Sequence, residues 1–167
     1  TYIDFGDSLR KNFSTGLADI RIGGKRGLRW LGAFGDLGLP DEPTFEYVIG
    51  TLDINLVQQF KFKNIPMKYS MDFRGQATES KLYGSEWFSI GNRYSVRGFD
   101  GEYTLSAENG FYVRNELGIP INQIASELYF GLDYGQVTGP NAKYLIGNKL
   151  SGAAIGLRGG NKGFFYD

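Results

Sequence analysis

The sequence predicts an all-β protein, an antiparallel transmembrane β-barrel of which this chain supplies about seven strands. Three observations lead to this prediction. Apolar and polar residues alternate over long stretches, which is the side-chain period of a strand. These stretches exceed the five or six residues of an ordinary strand. The connections between them alternate between short turns and long loops, as they do in outer-membrane barrels.

Composition agrees with a barrel without proving one. The 167 residues include 25 glycines, and 16% are aromatic. No apolar run approaches the roughly 18 residues that a membrane-spanning helix requires. A polar average with many glycines and aromatics is typical of a barrel with a wet lumen. It is equally typical of a soluble β-sandwich, so composition leaves both architectures open.

Charge and residue usage exclude several chemistries. Eighteen basic and eighteen acidic residues cancel, so no basic footprint for nucleic acid is present. Cysteine and histidine are absent, which removes disulfides, thiol nucleophiles, zinc sites and serine–histidine–aspartate triads. The glycine-rich segment 156–163 lacks the spacing of a nucleotide-binding loop. We therefore expect no metal, no cofactor, no nucleotide and no nucleic-acid partner.

The first predicted strands follow from alternation. A strand over 14–24 places Ala18, Ile20 and Ile22 opposite Asp19 and Arg21. From residue 44 to 62 most even positions are apolar and most odd positions polar, and a tight turn is predicted at 63–66. The next strand has six consecutive polar positions on one face: Lys68, Ser70, Asp72, Arg74, Gln76 and Thr78. Its length favours a water-filled barrel interior over a solvated sheet.

Three more strands are predicted, at 111–119, 127–136 and 150–159. A short link at 120–123 joins the first two of them, whereas long connections are predicted at 25–43, 79–109 and 137–149. No segment shows a helical stripe. Another strand begins where the sequence stops, and lipid tolerates no open sheet edge. We therefore expect the chain to be part of a larger barrel.

One aspartate and one arginine form the candidate site. Asp133 has Gly131 and Gly135 as its same-face neighbours, which clears space for the close approach of another backbone. The 79–109 loop is far longer than a typical connection and carries Arg97 followed by Gly98. We hypothesise that this loop folds into the barrel and that Arg97 pairs with Asp133. Spacing alone slightly favours the alternative, in which both side chains are solvated.

Four sequence motifs favour the pairing of Arg97 with Asp133 over solvation of both side chains. They are GSEWFSIGNRYSVRGFDGE at 84–102, GFYVRNEL at 110–117, LYFGLDYGQV at 128–137 and LSGAAIGLRG at 150–159. In this order they resemble the TpsB family of two-partner secretion transporters, the haemolysin secretion/activation proteins. The resemblance is dense from residue 44 onward and thinner before it.

The resemblance implies a sixteen-stranded outer-membrane barrel preceded by a plug helix and two POTRA domains. Residues 1–167 would then be a C-terminal part of the barrel, with the POTRA domains and plug helix absent. In the family a long loop enters the lumen, where the arginine of a VRGY/F motif meets the aspartate of an (F/G)xDxG motif. The first motif falls on Val96, Arg97, Gly98 and Phe99, with phenylalanine in place of the commoner tyrosine. The second falls on Gly131, Asp133 and Gly135.

The function implied by the resemblance is secretion without catalysis. A large unfolded exoprotein of haemolysin, adhesin or toxin type would pass through the barrel in the bacterial outer membrane, so the expected partners are that exoprotein and outer-membrane lipid. An insertase of the same superfamily shares the Val-Arg-Gly-Phe loop, but the segment 115–117 favours the secretion branch.

Two other classes stay open at this point. One is a glycosidase that uses two of three carboxylates, Asp53, Asp72 and Glu116. The other is a soluble carbohydrate-binding sandwich with four aromatic platforms, Tyr69, Phe73, Phe130 and Tyr134.

Overall fold

The computed structural model describes residues 1–30, 35–36, 42–121, 125–161 and 164–166. Eight strands form one antiparallel sheet: β1 (Tyr2–Phe13), β2 (Gly16–Gly27), β3 (Val48–Phe62), β4 (Ile65–Ala77), β7 (Asn109–Ile121), β8 (Ser126–Thr138), β9 (Lys149–Asn161) and β10 (Phe164–Tyr166). Two three-residue strands, β5 (Phe88–Ile90) and β6 (Leu105–Ala107), form a hairpin inside the connection from β4 to β7.

The main sheet is a simple meander, because each strand pairs with the next one along the chain except where β4 pairs with β7. This confirms the predicted all-β antiparallel fold, with seven long strands and the short β10. The described residues contain no α-helix, only two 3-10 turns at Gly84–Glu86 and Pro140–Tyr144. They also contain no helix with the length and apolar character needed to cross a membrane. Over these residues the sheet is open, with β1 and β10 at its edges.

Strand boundaries differ from the predictions at three places. The β1 strand precedes the first strand that the alternation delimited. The turn predicted at 63–66 consists of Lys63 and Asn64 alone, and both have positive φ, at 49° and 67°. Two left-handed residues in sequence suit the right-handed twist of a hairpin, so β4 starts at Ile65. The link predicted at 120–123 is also wrong in part, because β7 continues to Ile121, while positions 122 and 123 lie outside the described residues.

The two faces of the sheet differ in polarity. The outer face exposes large apolar side chains, such as Ile22 (65% exposed), Leu132 (68%) and Ile155 (69%). The inner face carries cross-strand pairs of charged residues. Asp53 lies opposite Arg74 on β4, and its carboxylate Oδ1 is 3.0 Å from the arginine Nε. Opposite charges at facing positions stabilise the pairing of antiparallel strands.

The connection between β4 and β7, residues 78–108, is called the long loop below. Its β5–β6 hairpin packs against β7 and β8. A buried apolar cluster forms there from residues of the loop and of β8: Phe88, Ile90, Val96, Ala107 and Val137. Burial of this cluster holds the long loop against the sheet and so positions its arginine.

Candidate functional site

Polar contacts fasten the base of the long loop. The Gln76 side-chain amide donates to the backbone carbonyls of Glu86, at 2.8 Å, and Glu108, at 2.9 Å, which lie on the two sides of the loop. The Lys25 ammonium on β2 donates to the Glu86 carboxylate. The Glu108 carboxylate is fully buried and accepts hydrogen bonds from Asn141 in the next connection. The base of the long loop is therefore hydrogen-bonded to β2, to β4 and to the connection between β8 and β9.

A compact turn presents the arginine, and its backbone hydrogen bonds define its shape. The Ser95 hydroxyl accepts hydrogen bonds from the N–H groups of Gly91 (3.0 Å) and Asn92 (3.2 Å). The N–H of Val96 donates to the Asn92 carbonyl, at 3.2 Å. Gly91 has φ of +103°, a left-handed conformation that side chains resist, so the glycine is required at this turn. The turn buries Val96 in the apolar cluster and points the next residue at the sheet.

Arg97 makes five hydrogen bonds to two strands. Its backbone N–H and its Nε both donate to Asp133 Oδ2, each at 2.8 Å, and Nη2 donates to Asp133 Oδ1 at 2.7 Å. On β7, Nη1 donates to Glu116 Oε2 at 2.8 Å, and Nη2 also donates to the carbonyl of Asn115 at 2.9 Å. The paired contact with Asp133 is the bidentate geometry in which guanidinium–carboxylate pairs are strongest.

Burial makes this pair different from the other ion pairs of the sheet. The Asp133 side chain is 0% exposed and that of Arg97 is 14% exposed. The hydrogen bonds to Asp133 raise the pKa of Arg97 above its ordinary value, so the guanidinium is charged throughout the physiological range. When one member of a buried pair is removed, the remaining charge is uncompensated, which costs roughly 3–5 kcal/mol.

Glycines make room for the contact, although not all in the way that the sequence predicted. A Cβ on Gly131 would lie 2.3 Å from Cζ of Arg97, so this glycine admits a guanidinium and not a backbone. A Cβ on Gly135 would lie 3.0 Å from Val96 Cγ2, a side chain as well. The close backbone approach occurs at Gly152, opposite Asp133 on β9, where a Cβ would lie 2.1 Å from the Arg97 carbonyl oxygen.

The other two residues of the loop motif support the turn. Gly98 has φ of +91° and turns the chain away after the arginine. Phe99 packs against the apolar cluster. The structure thus brings together the residues of both predicted motifs, with Arg97 and Asp133 in direct contact.

Sequence reasoning missed two partners of the site. The sequence indicates Glu116 as a candidate glycosidase carboxylate, yet in the structure it accepts a hydrogen bond from Arg97 and forms an ion pair with Arg158 Nη2 at 2.7 Å. Arg158, on β9, also pairs with Glu127. Which residues of β8 and β9 face Glu116 depends on a strand register that alternation leaves undetermined.

Several of the groups that the two alternative classes require are engaged in other contacts. Asp53 is paired with Arg74, and Glu116 with two arginines. Of the aromatic platforms, Phe73 stacks on Phe111, whose ring also contacts Tyr134. In the described part of the chain the only second sheet is the two-stranded hairpin of the loop, so the facing layers of a sandwich are not formed there.

Comparison with known proteins identifies the class. The long antiparallel sheet with an apolar outer face is of the class formed by outer-membrane secretion proteins. The model of the family described as "Haemolysin secretion/activation protein ShlB/FhaC/HecB" matches residues 1–159, and this chain belongs to that family.

Individual relatives agree. The chain is 39% identical over 160 residues to "Outer membrane transporter CdiB-2" of Burkholderia pseudomallei (strain 1026b), covering 95% of this chain and 27% of that protein. It is 28% identical over 141 residues to "Hemolysin transporter protein HpmB" of Proteus mirabilis, covering 82% of this chain and 25% of the relative. The chain therefore spans about a quarter of the length of these relatives.

Solved structures show the same fold. The chain superposes on CdiB from Acinetobacter baumannii with a TM-score of 0.81 and 29% identity, over 97% of this chain and 27% of that structure. For CdiB from Escherichia coli the TM-score is 0.77 and the identity 25%, over 94% of this chain and 30% of that one.

Proposed function

We propose that this chain forms part of the barrel of a two-partner secretion transporter in the bacterial outer membrane. Membership of the haemolysin secretion/activation family supports this proposal, as do relatives named as outer-membrane or haemolysin transporters. The transported molecule is an unfolded exoprotein that passes along the polar inner face and folds outside. The apolar outer face contacts lipid, because its exposed aliphatic side chains match a hydrocarbon environment.

The pair of Arg97 and Asp133, called the lock below, holds the long loop against the inner face until the exoprotein passes. The observation that carries this proposal is the complete burial of the Asp133 carboxylate beneath a guanidinium that comes from a loop and not from the barrel wall. A pair so arranged fixes the loop in one position. Its members separate only when the loop moves.

The test replaces each member of the lock in the full-length transporter. Arg97→Ala and Asp133→Ala should each abolish secretion while the barrel still inserts in the outer membrane. Arg93→Ala is the matched control, because Arg93 lies on the same loop but is exposed. Secreted exoprotein is measured by immunoblot of the medium, and insertion by membrane fractionation. Normal secretion by either lock variant would contradict the proposal.

A further inference from the structure

A second arginine stands beside the buried aspartate. Arg114 on β7 is the direct cross-strand partner of Asp133 on β8, so the two side chains emerge on the same inner face. Side chains at such facing positions have Cβ atoms about 4.5–5.5 Å apart. Asp133 therefore has two cations within reach, Arg97 from the long loop and Arg114 from the wall of the sheet.

Arg114 is hydrogen-bonded to the long loop. Its Nη1 donates to the backbone carbonyl of Tyr94 at 3.1 Å. Among the residues that the structure describes, no carboxylate oxygen lies within 4.0 Å of its guanidinium, although Asp72 is its cross-strand partner on β4. Tyr94 precedes Arg97 by three residues. A movement that carries this turn off the sheet therefore withdraws both Arg97 and the acceptor that Arg114 uses.

We propose that Arg114 replaces Arg97 as the partner of Asp133 when the long loop leaves the inner face. This inference rests on the proposed release of the loop. The same movement frees the Arg114 guanidinium and leaves the Asp133 carboxylate without a cation, and the two groups are adjacent. Opposite charges at facing positions of antiparallel strands attract each other, so exchange of the partner lowers the energy of the open state. Arg114 is thus a positioning residue that makes release of the lock reversible.

A coupling experiment tests the exchange without any exoprotein. The rate of heat unfolding of the full-length transporter in detergent is measured for Arg97→Ala, Arg114→Gln and the double variant. With Arg97 present, Arg114→Gln should change the rate by about twofold at most, since Asp133 keeps its loop partner. In the Arg97→Ala background the same change should accelerate unfolding about tenfold. An equal effect in both backgrounds would overturn the inference.

Two further variants make the result specific. Arg74→Gln is the matched control, because Arg74 is an inner-face arginine of the neighbouring strand β4 whose partner is Asp53. Its effect should be the same with and without Arg97. Adding Asp133→Asn to the Arg97→Ala background should reduce the effect of Arg114→Gln to about twofold. A persisting tenfold effect would mean that Asp133 is not the partner, and it too would overturn the inference.

The remaining outcomes are also decisive. If the double variant of Arg97→Ala with Arg114→Gln does not insert, Arg97→Ala with Arg114→Lys should insert, because the positive charge is kept. Failure of the lysine variant as well would count against the exchange. Since no substrate is involved, normal secretion by Arg97→Ala would contradict the proposed function and still leave the coupling readable. Additive unfolding rates together with lost secretion would remove only the role of Arg114.

Discussion

Two aspartates on the inner face, Asp53 and Asp133, are each paired with an arginine in different surroundings. Asp53 receives Arg74 from the neighbouring strand at 3.0 Å, and both side chains of this pair remain partly open to solvent. Asp133 receives Arg97 from the long loop at 2.7 Å, and its side chain is completely buried. The chemistry of the two pairs is the same, but the consequence of losing a partner is not.

The two pairs differ in whether water can solvate the charge that remains when its partner is removed. An exposed ion pair contributes about 0–1 kcal/mol, because water solvates either partner alone. A buried pair leaves an uncompensated charge when it is broken, at roughly 3–5 kcal/mol. The Asp53 pair therefore adds charge to a solvated part of the inner face, whereas the Asp133 pair fixes the position of the long loop.

The largest effect is expected at Gly152, where the loop backbone comes closest to the wall. In Gly152→Ala the new methyl group would overlap the Arg97 carbonyl oxygen at 2.1 Å, so the loop backbone must move away and the lock must break. We expect loss of secretion and a destabilisation comparable to that of Asp133→Ala, roughly 3–5 kcal/mol, measured by heat unfolding. Gly147→Ala is the control, because a Cβ there has no described neighbour within 4 Å. A stable, secreting Gly152→Ala variant would refute this geometry.

An intermediate effect is expected at Gly131. A methyl group there meets the guanidinium of Arg97, which is the end of a flexible side chain and can shift. The shift should sacrifice the hydrogen bonds to Glu116 and to the Asn115 carbonyl while the contact with Asp133 survives. We expect Gly131→Ala to destabilise the barrel by about 1–3 kcal/mol and to reduce secretion without abolishing it. A loss as complete as that of Gly152→Ala would show that the guanidinium has no freedom to move.

The smallest effect is expected at the partly exposed pair of Asp53 and Arg74. Asp53→Ala should change the stability of the barrel by about 1 kcal/mol at most, since the Arg74 guanidinium left behind is solvated. Heat unfolding and secretion should both stay close to those of the unmodified transporter. If Asp53→Ala abolished secretion, as is expected of Asp133→Ala, the difference in burial would not explain why the two aspartates have different roles.

Much of this arrangement could be predicted from the sequence, because strand faces follow from alternation. The glycines two residues before and two residues after Asp133 indicated that another segment comes close to it, and the length of the 79–109 loop indicated that this loop is the segment. Parity alone does not set the register between strands, and a shift by two residues preserves every face. The sequence therefore could not predict that Arg114 and Gly152 lie directly opposite Asp133, nor that Glu116 contacts Arg97.

Turn geometry explains a second limit. The hairpin between β3 and β4 closes on Lys63 and Asn64, both with positive φ, although lysine is not a residue that favours this conformation. The predicted turn covers four residues and includes Pro66, yet Pro66 lies in β4 opposite Lys61. The register of both strands follows from this two-residue turn.

The central claim is that a buried ion pair fixes the long loop, and a pair of double-mutant cycles tests it most directly. Heat unfolding of the full-length transporter is measured for Arg97→Ala, Asp133→Ala and both together, and likewise for Arg74→Ala with Asp53→Ala. We predict a coupling of about 2–3 kcal/mol for the first cycle and less than about 1 kcal/mol for the second. Additive effects of the Arg97 and Asp133 changes, within about 0.5 kcal/mol, would contradict the account.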